Sequence, residues 1–277
     1  MSDIQNTPTP MAMPTALSTR EARLHPFDWY RRKRAQGPIH YDEQRNCWDL
    51  FTYDHAKKVL RDHETFSSET RVDDTDTNPV FNRSMLSSDP PRHTRLREPA
   101  EEFFKPGSIS DLEPMIRSVA LDLLENALAE GSNGSGDSNR MDIVEDFAFP
   151  LPVTVIAELL GVPADDHGLF HKASRIIAVP QGDEGENSFG KRQTKIGAEM
   201  VEYLSNLIER RRENPQDDLV SSLVTKSNLS HGELIDTSFL LMLAGHETTV
   251  NTITNTIWCL NSTSSLDAVM SGSTELS

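Results

Sequence analysis

Apolar residues recur at helical spacing along most of this chain. Leu112, Ile116 and Val119, for example, fall on one stripe of a helix. The same kind of pattern predicts helices over residues 29–36, 53–62, the segment between Pro91 and Pro106, 110–130, 152–160, 165–178, 188–214, 217–225 and 232–260. The chain is therefore predicted to be helical almost throughout.

A short β element interrupts the helices near the N-terminus. Residues 39–41 and 47–52 flank the turn-forming residues 42–46, so they are predicted to pair as a β-hairpin. The fold class that follows is mainly α with a small N-terminal β element.

Polar stretches mark the ends of the predicted domain. Residues 1–27 carry prolines and polar side chains and are predicted to be a disordered lead-in, which places the domain at residues 28–260. Long polar loops are predicted at residues 63–88, 131–139 and 180–187. Residues 261–277 hold 8 Ser or Thr in 17 positions. This tail is interpreted as a polar segment unrelated to the domain, of the kind that a reading-frame change produces.

Two Ser-x-x-Glu patterns are typical of helix N-termini. In a capping box the Ser side chain accepts a bond from the amide three residues on, and the Glu side chain bonds back to the Ser amide. Ser110 with Glu113 and Ser230 with Glu233 have this spacing. Two helices are therefore predicted to begin at these serines.

Charge and cysteine content narrow the functional classes. The 277-residue chain carries 43 Asp and Glu against 27 Lys and Arg, a formal net charge of -16. This charge disfavours binding to a nucleic-acid backbone, and both a salt-adapted and an ordinary acidic protein are consistent with it. Two cysteines without disulfide or metal spacing, no secretion signal and no apolar run of membrane-spanning length favour a cytoplasmic protein without a membrane partner.

The predicted 232–260 helix has a polar cluster in its middle, at residues 244–249. A buried helix ordinarily avoids polar side chains, so this local inconsistency is typical of a functional site. The small pair Ala244 and Gly245 would let a flat, bulky group approach the helix backbone, and Thr248 lies one turn beyond Ala244 on the same face. A zinc-binding His-Glu-x-x-His pattern is excluded because its second His position is occupied by Val250.

A second candidate pair is formed by His93 and Arg97, four residues apart on the helix after Pro91. Side chains at this spacing project from one face, where a guanidinium fork and an imidazole together can bind an anion. From the spacing alone, a surface pair without a ligand is the more frequent case.

Four ordered motifs give the chain a family resemblance. They are residues Ser88 to Arg97, Phe149 to Pro163, Arg211 to Leu219 and Leu243 to Thr249. In this order they resemble the soluble, prokaryotic-type cytochrome P-450 haem-thiolate monooxygenases, over about residues 28–260. The chain is similar to the N-terminal portion of that fold, up to or just beyond its central I helix.

The resemblance implies a haem b cofactor and assigns residues to it. His93 and Arg97 resemble the pair that holds the haem propionates. The 232–260 segment resembles the I helix, in which Ala244 and Gly245 would line the oxygen groove.

The resemblance also implies a reaction and its partners. Thr248 and its acidic neighbour Glu247 resemble the residues that help to deliver protons during oxygen activation, so they are the catalytic candidates. The implied reaction inserts one oxygen atom of dioxygen into a small organic substrate. A ferredoxin or a flavoprotein would donate the electrons.

The sequence departs from the family at the iron ligand. The family holds iron through a Cys thiolate in a Phe-x-x-Gly-x-x-x-Cys loop, and neither Cys47 nor Cys259 has this context. The family's Glu-x-x-Arg helix does not follow the 232–260 segment either. With no axial Cys, and hence no protein ligand for the metal, this chain by itself is predicted to be inactive.

Two other functional classes stay open. One is a non-enzymatic helical fragment that acts as an interaction module or binds haem weakly. The other is a mononuclear hydrolase that uses His246 and Glu247, for which the sequence offers no further ligands. Stoichiometric metal without haem would favour the hydrolase, and helical protein with neither cofactor would favour the interaction module.

Overall fold

A computed structural model of the chain describes residues 13–69, 84–131, 141–178, 186–263 and 265–271. The chain divides into two compact units, of which the first ends at Ser68 and the second begins at Glu69. Apart from one two-stranded hairpin, the regular elements of the described residues are helices. This confirms the predicted mainly α class with a small β element. None of the described helices is long and apolar enough to cross a membrane.

The first unit holds the hairpin and three short helices. Its elements are α1 (Arg20–Leu24), α2 (Phe27–Gln36), β1 (Ile39–Asp42), β2 (Cys47–Leu50) and α3 (Tyr53–Arg61). The strands pair antiparallel, from Ile39 opposite Leu50 to Asp42 opposite Cys47, as the sequence predicts. Arg45 stabilises the turn because it forms ion pairs with both Asp42 and Asp49.

The predicted lead-in, loops and tail are described only in part. Within residues 13–27 the structure differs from the prediction of disorder, since Thr15–Leu17 forms a 3-10 turn and α1 follows it. Thr19 caps α1 because its side chain accepts a hydrogen bond from the Ala22 amide. Residues 1–12, 70–83, 132–140, 179–185 and 272–277, which include most of the predicted loops, lie outside the described residues.

The second unit is a helical bundle. Its elements are α4 (Arg92–Glu101), α5 (Pro106–Gly131), a π-helix (Ile143–Ala148), α6 (Pro150–Leu160), α7 (His167–Ala178), α8 (Glu186–Glu213), α9 (Leu219–Lys226), α10 (His231–Ser262) and α11 (Leu266–Met270). Helix α10 packs mainly against α6, α8 and the π-helix. The core between these helices is apolar and includes Val153, Leu160, Met200, Leu204 and Met242, each fully buried. The sequence pattern did not predict the π-helix.

Of the two predicted capping boxes, one is confirmed and one is wrong. Ser230 and Glu233 exchange the expected bonds at the start of α10. Ser110 instead lies inside α5, which begins at Pro106, and its hydroxyl donates to the Pro106 carbonyl at 3.0 Å. Proline is favoured in the first turn of a helix, so the helix begins earlier than the Ser-x-x-Glu pattern suggests.

Arg211 of α8 joins two of the sequence motifs by bonding to both the end of α6 and the start of α9. Gly161 ends α6 in a left-handed conformation with φ 78°. Arg211 donates to the Gly161 carbonyl at 2.6 Å and also to the Asp218 carboxylate, which caps α9. A Cβ atom at Gly161 would overlap the Asp218 carboxylate, so this close approach requires glycine.

Candidate functional site

Helix α10 separates an inner side from an exposed side at the polar cluster. Only His246 of this cluster is buried, at 2% exposure, whereas Ala244, Glu247, Thr248 and Thr249 are exposed in the described structure. The polar cluster is therefore divided between the two sides of α10. The cause is the rotation of α10, which turns His246 towards the core and its neighbours away from it.

The exposed side of α10 carries threonines whose hydroxyl groups bond to the helix backbone. Thr248 Oγ1 donates to the Ala244 carbonyl at 2.8 Å, and Thr252 Oγ1 donates to the Thr248 carbonyl at 2.8 Å. Thr256 repeats the pattern one turn further on. These bonds satisfy the hydroxyl protons locally, so the hydroxyl oxygens remain able to accept a hydrogen bond from a ligand or water.

Ala244 and Gly245, predicted to line one groove, point in different directions. Ala244 is on the exposed side, next to Thr248. Gly245 instead faces α6, where a Cβ atom would lie 3.2 Å from Cδ1 of Ile156. The structure thus places Ala244 on the candidate face and gives Gly245 a role in the packing of α10 on α6.

His93 and Arg97 lie on α4, as predicted. His93 is half-buried, and its amide donates to the Asp89 carbonyl in the first turn. The Arg97 side chain is 57% exposed, and its Nε is 4.0 Å from a carboxylate oxygen of Glu101. An exposed ion pair at this distance contributes little to stability, so the Arg97 guanidinium can exchange Glu101 for another anion.

Between these two residues, Arg95 connects α4 to α10. Its guanidinium donates to both carboxylate oxygens of Glu233, the residue that completes the capping box of α10. The Arg95 hydrogen bonds, assisted by the bonds from Ser230, lower the pKa of Glu233 to about 2, although its partial burial acts in the opposite direction. The sequence did not predict this pair, because the partners are 138 residues apart and no local pattern relates them.

The His246 side chain packs against the end of the π-helix and against α7. Its ring lies edge-on to Phe149, with the centroids 4.8 Å apart and an interplanar angle of 83°. Neither ring nitrogen has a hydrogen-bond partner among the described residues. Burial lowers the pKa of His246 to about 4, and the nearby His171 and Arg175 add to this effect.

The described residues do not form a cluster of metal-binding side chains. No group of three or more His, Cys, Asp or Glu side chains in the described ranges is placed to hold one. His246 is buried and Glu247 is exposed, so α10 does not bring together the pair on which the hydrolase alternative depends. Cys47 lies in β2 of the first unit, and Cys259 is exposed on α10.

Comparison of the sequence and of the structure with known proteins finds relatives of the same kind. No protein-family model matches the chain. It is 33% identical over 248 residues to Cytochrome P450 109 of Bacillus spizizenii, covering 87% of this chain and 57% of that protein. It is 37% identical over 246 residues to Cytochrome P450 monooxygenase PikC of Streptomyces venezuelae, covering 85% and 56%. Substrate-free CYP109E1 from Bacillus megaterium matches with a TM-score of 0.81 at 33% identity, covering 89% of this chain and 64% of that one.

The sequence and structure matches agree on one class of protein, the bacterial cytochromes P450. The chain belongs to this family, which confirms the resemblance given by its four motifs. It spans between 56% and 64% of the length of these three relatives.

Proposed function

We propose that residues 84–263 form the part of a cytochrome P450 monooxygenase that lines the oxygen-binding side of the haem. Such an enzyme is haem-dependent and inserts one oxygen atom of dioxygen into a small organic substrate. The observation that carries this proposal is the exposed side of α10, where Thr248 Oγ1 and the Ala244 carbonyl are 2.8 Å apart across one turn. The relationship to PikC, which is named as a monooxygenase, supports it.

On this proposal, α10 would contact one face of haem b and α4 would bind its propionates. Ala244 carries only a methyl group, so a flat ring can approach the exposed side of α10. His93 and Arg97 supply an imidazole and a guanidinium on one face of α4, the donors that suit two propionates. When bound, haem b would supply the iron centre at which dioxygen is activated.

Two side chains of α10 are proposed to handle protons on this face. The Thr248 hydroxyl proton is engaged by the Ala244 carbonyl, so its oxygen can accept a hydrogen bond from a water molecule and hold it in place. The carboxylate of Glu247, the preceding residue, is exposed and can take up and release a proton. Gly245 is proposed to support this face indirectly, through its contact with Ile156.

We further propose that this chain by itself lacks monooxygenase activity. Its 277 residues contain two cysteines, and neither is in the family's iron-ligand context. Cys259 lies on α10 itself, 11 residues after Thr248 and so about 16 Å along the helix from it. An iron-ligating thiolate would supply the electron donation that this chemistry requires, and neither cysteine matches the family's pattern for that role. The proposed electron donor of the complete system is a cytoplasmic ferredoxin or flavoprotein.

The test is a haem titration of the 277-residue chain, followed by reduction under carbon monoxide and a difference spectrum. If α4 binds the propionates, the double variant His93→Gln, Arg97→Gln should weaken haem binding by about tenfold or more. Arg117→Gln is the matched control, since Arg117 is an exposed arginine on α5 that pairs with Glu113. Its affinity for haem should equal that of the wild type.

The spectrum separates the candidate functions. A carbon monoxide band at the red-shifted thiolate position would show that Cys47 or Cys259 binds iron and would contradict the proposed inactivity. Haem binding without that band, reduced in the double variant, supports the proposal. A folded helical chain that binds no haem at any concentration would favour the interaction module.

A further inference from the structure

The imidazole of His246 is out of place as a core side chain. It is 2% exposed and lies in the middle of α10, and both ring nitrogens lack a partner among the described residues. A buried polar group without a hydrogen bond is unfavourable, and phenylalanine could make the same edge contact without this penalty. The contact with Phe149 is therefore the interaction by which the imidazole can act in this core.

The contacts around His246 are centred on the Phe149 ring. The Phe149 and His246 rings form a T-shaped pair with their centroids 4.8 Å apart, and the guanidinium of Arg175 lies 4.2 Å from the centroid of the Phe149 ring. Arg175 in turn donates to Glu145 of the π-helix. This arrangement connects α10, the π-helix and α7 through one aromatic ring, since cations and ring edges both interact favourably with aromatic faces.

The next residue along α10 is fitted to a different helix. Gly245 contacts Ile156 of α6, where a Cβ atom would approach Cδ1 to 3.2 Å. Two consecutive residues of α10 are thus fitted to two different neighbours. Because successive helical residues are about 100° apart, the two contacts together define the rotation of α10 about its axis.

Few charged groups surround His246. From α7 it is faced by His171 and Arg175, and Glu145 of the π-helix lies beyond Arg175. On α6, Thr154 contacts His171 and Glu158 contacts His167, so neither pairs with His246. The buried side chains that α8 contributes in the described residues are apolar. No carboxylate of the described residues therefore bonds to the ring to stabilise an imidazolium.

We propose that His246 is a positioning residue: its neutral imidazole, in T-shaped contact with Phe149, sets the rotation of α10 that turns Thr248 outward. This inference rests on the proposed function only in that the outward face is the one assigned to haem. An imidazolium would be unfavourable at this position, because it would be buried beside Arg175 without a hydrogen-bond acceptor among the described residues. Protonation of His246 therefore releases the central turn of α10.

The first test is urea unfolding of the wild type and His246→Phe at pH 7.5 and 5.5. Phenylalanine keeps the edge contact and cannot be protonated. Because the folded pKa of His246 lies below its unfolded value, its stabilising effect is present above pH 6.5 and is lost as the pH falls towards 4. Between the two pH values the folding equilibrium constant of the wild type should fall about tenfold more than that of His246→Phe.

The second test reads the rotation of α10 from the NOE between the Gly245 α protons and the Ile156 δ1 methyl, since these groups are in contact. This NOE should be retained in His246→Phe and weakened in His246→Ala. His63→Gln, which removes an exposed histidine of the first unit, is the control for the titration of other histidines. It should keep the pH profile of the wild type.

Two results would overturn the proposal. One is a pH-dependent loss in His246→Phe equal to that of the wild type, and the other is an unchanged NOE between Gly245 and the Ile156 methyl in folded His246→Ala. If His246→Ala does not fold, the comparison of the wild type with His246→Phe decides. Neither measurement uses haem, so the positioning role can fail while the proposed function stands, and the reverse.

Discussion

Arg95 of α4 binds both carboxylate oxygens of Glu233 at the start of α10, with Nη1 donating to Oε2 at 3.1 Å. Arg95 lies two residues from both His93 and Arg97, which places it about 200° around α4 from them. One side of α4 therefore holds α10 while the other presents the candidate anion-binding pair. This relationship fixes α4 relative to the start of the helix that carries the candidate site.

Replacing Glu233 by glutamine separates the charge from the helix cap. Glutamine can still complete the capping box, but it cannot form the charge-assisted bonds to Arg95. We expect Glu233→Gln to lower the free energy of unfolding by about 1–2 kcal/mol at pH 7. Arg95→Gln should destabilise in the same direction, and the double variant should be less than additive, as measured by urea unfolding. Glu113→Gln, in an exposed pair on α5, should change stability by less than about 0.5 kcal/mol.

The same pair predicts a pH dependence. The pKa of Glu233 is lowered to about 2 from an ordinary value of 4.5, with the Arg95 hydrogen bonds as the largest cause. Its contribution to stability is therefore complete above pH 4.5 and is lost as the pH falls towards 2. The stabilities of the wild type and Glu233→Gln should approach each other between pH 7 and pH 3. A gap that stays constant across this range would show that the carboxylate charge does not contribute.

Gly161→Ala should be strongly destabilising. A methyl group there would displace Asp218 from Arg211, and alanine disfavours the left-handed conformation of this residue. We expect a loss of at least about 2 kcal/mol in the free energy of unfolding. Gly168→Ala on α7 is the matched control, since nothing lies within 4 Å of its added Cβ atom. It should be neutral, or stabilising by up to about 1 kcal/mol.

Gly245 and Ile156 should be energetically coupled. In the wild type, Gly245→Ala gains helix propensity but must push Cδ1 of Ile156 aside, since the two atoms would be 3.2 Å apart. Ile156→Val removes that carbon. We expect Gly245→Ala to be more favourable by about 0.5–1 kcal/mol in the Ile156→Val background than in the wild type, as measured by a double-mutant cycle. Equal effects in both backgrounds would mean that Gly245 does not serve helix packing.

Thr248→Ala should leave the fold intact. The side chain is exposed, and among the described residues its hydroxyl bonds to a backbone carbonyl within α10. We expect a change in the free energy of unfolding within about 0.5 kcal/mol. Val153→Ala, a fully buried position on α6, should lose about 2 kcal/mol and shows that the assay is sensitive. A large loss in Thr248→Ala would assign Thr248 to stability and weaken the case for a role on the haem face.

Local patterns predicted several individual elements well. The hairpin at residues 39–50 and the capping box at Ser230 appear where turn residues and a Ser-x-x-Glu pattern predict them. The same pattern at Ser110 failed, because Pro106 begins α5 earlier. A local pattern specifies a bond that can form, and the neighbouring residues decide whether a helix begins there.

The sequence by itself determined the mainly α class, the family and the two helices that carry His93, Arg97 and Thr248. These depend on periodicity, caps and ordered motifs, which are properties of nearby residues. Only the tertiary structure decided that Gly245 faces Ile156, that His246 is seated on Phe149 and that Arg95 binds Glu233. Such contacts join residues that are far apart along the chain, and their partners are chosen by the rotation and packing of whole helices.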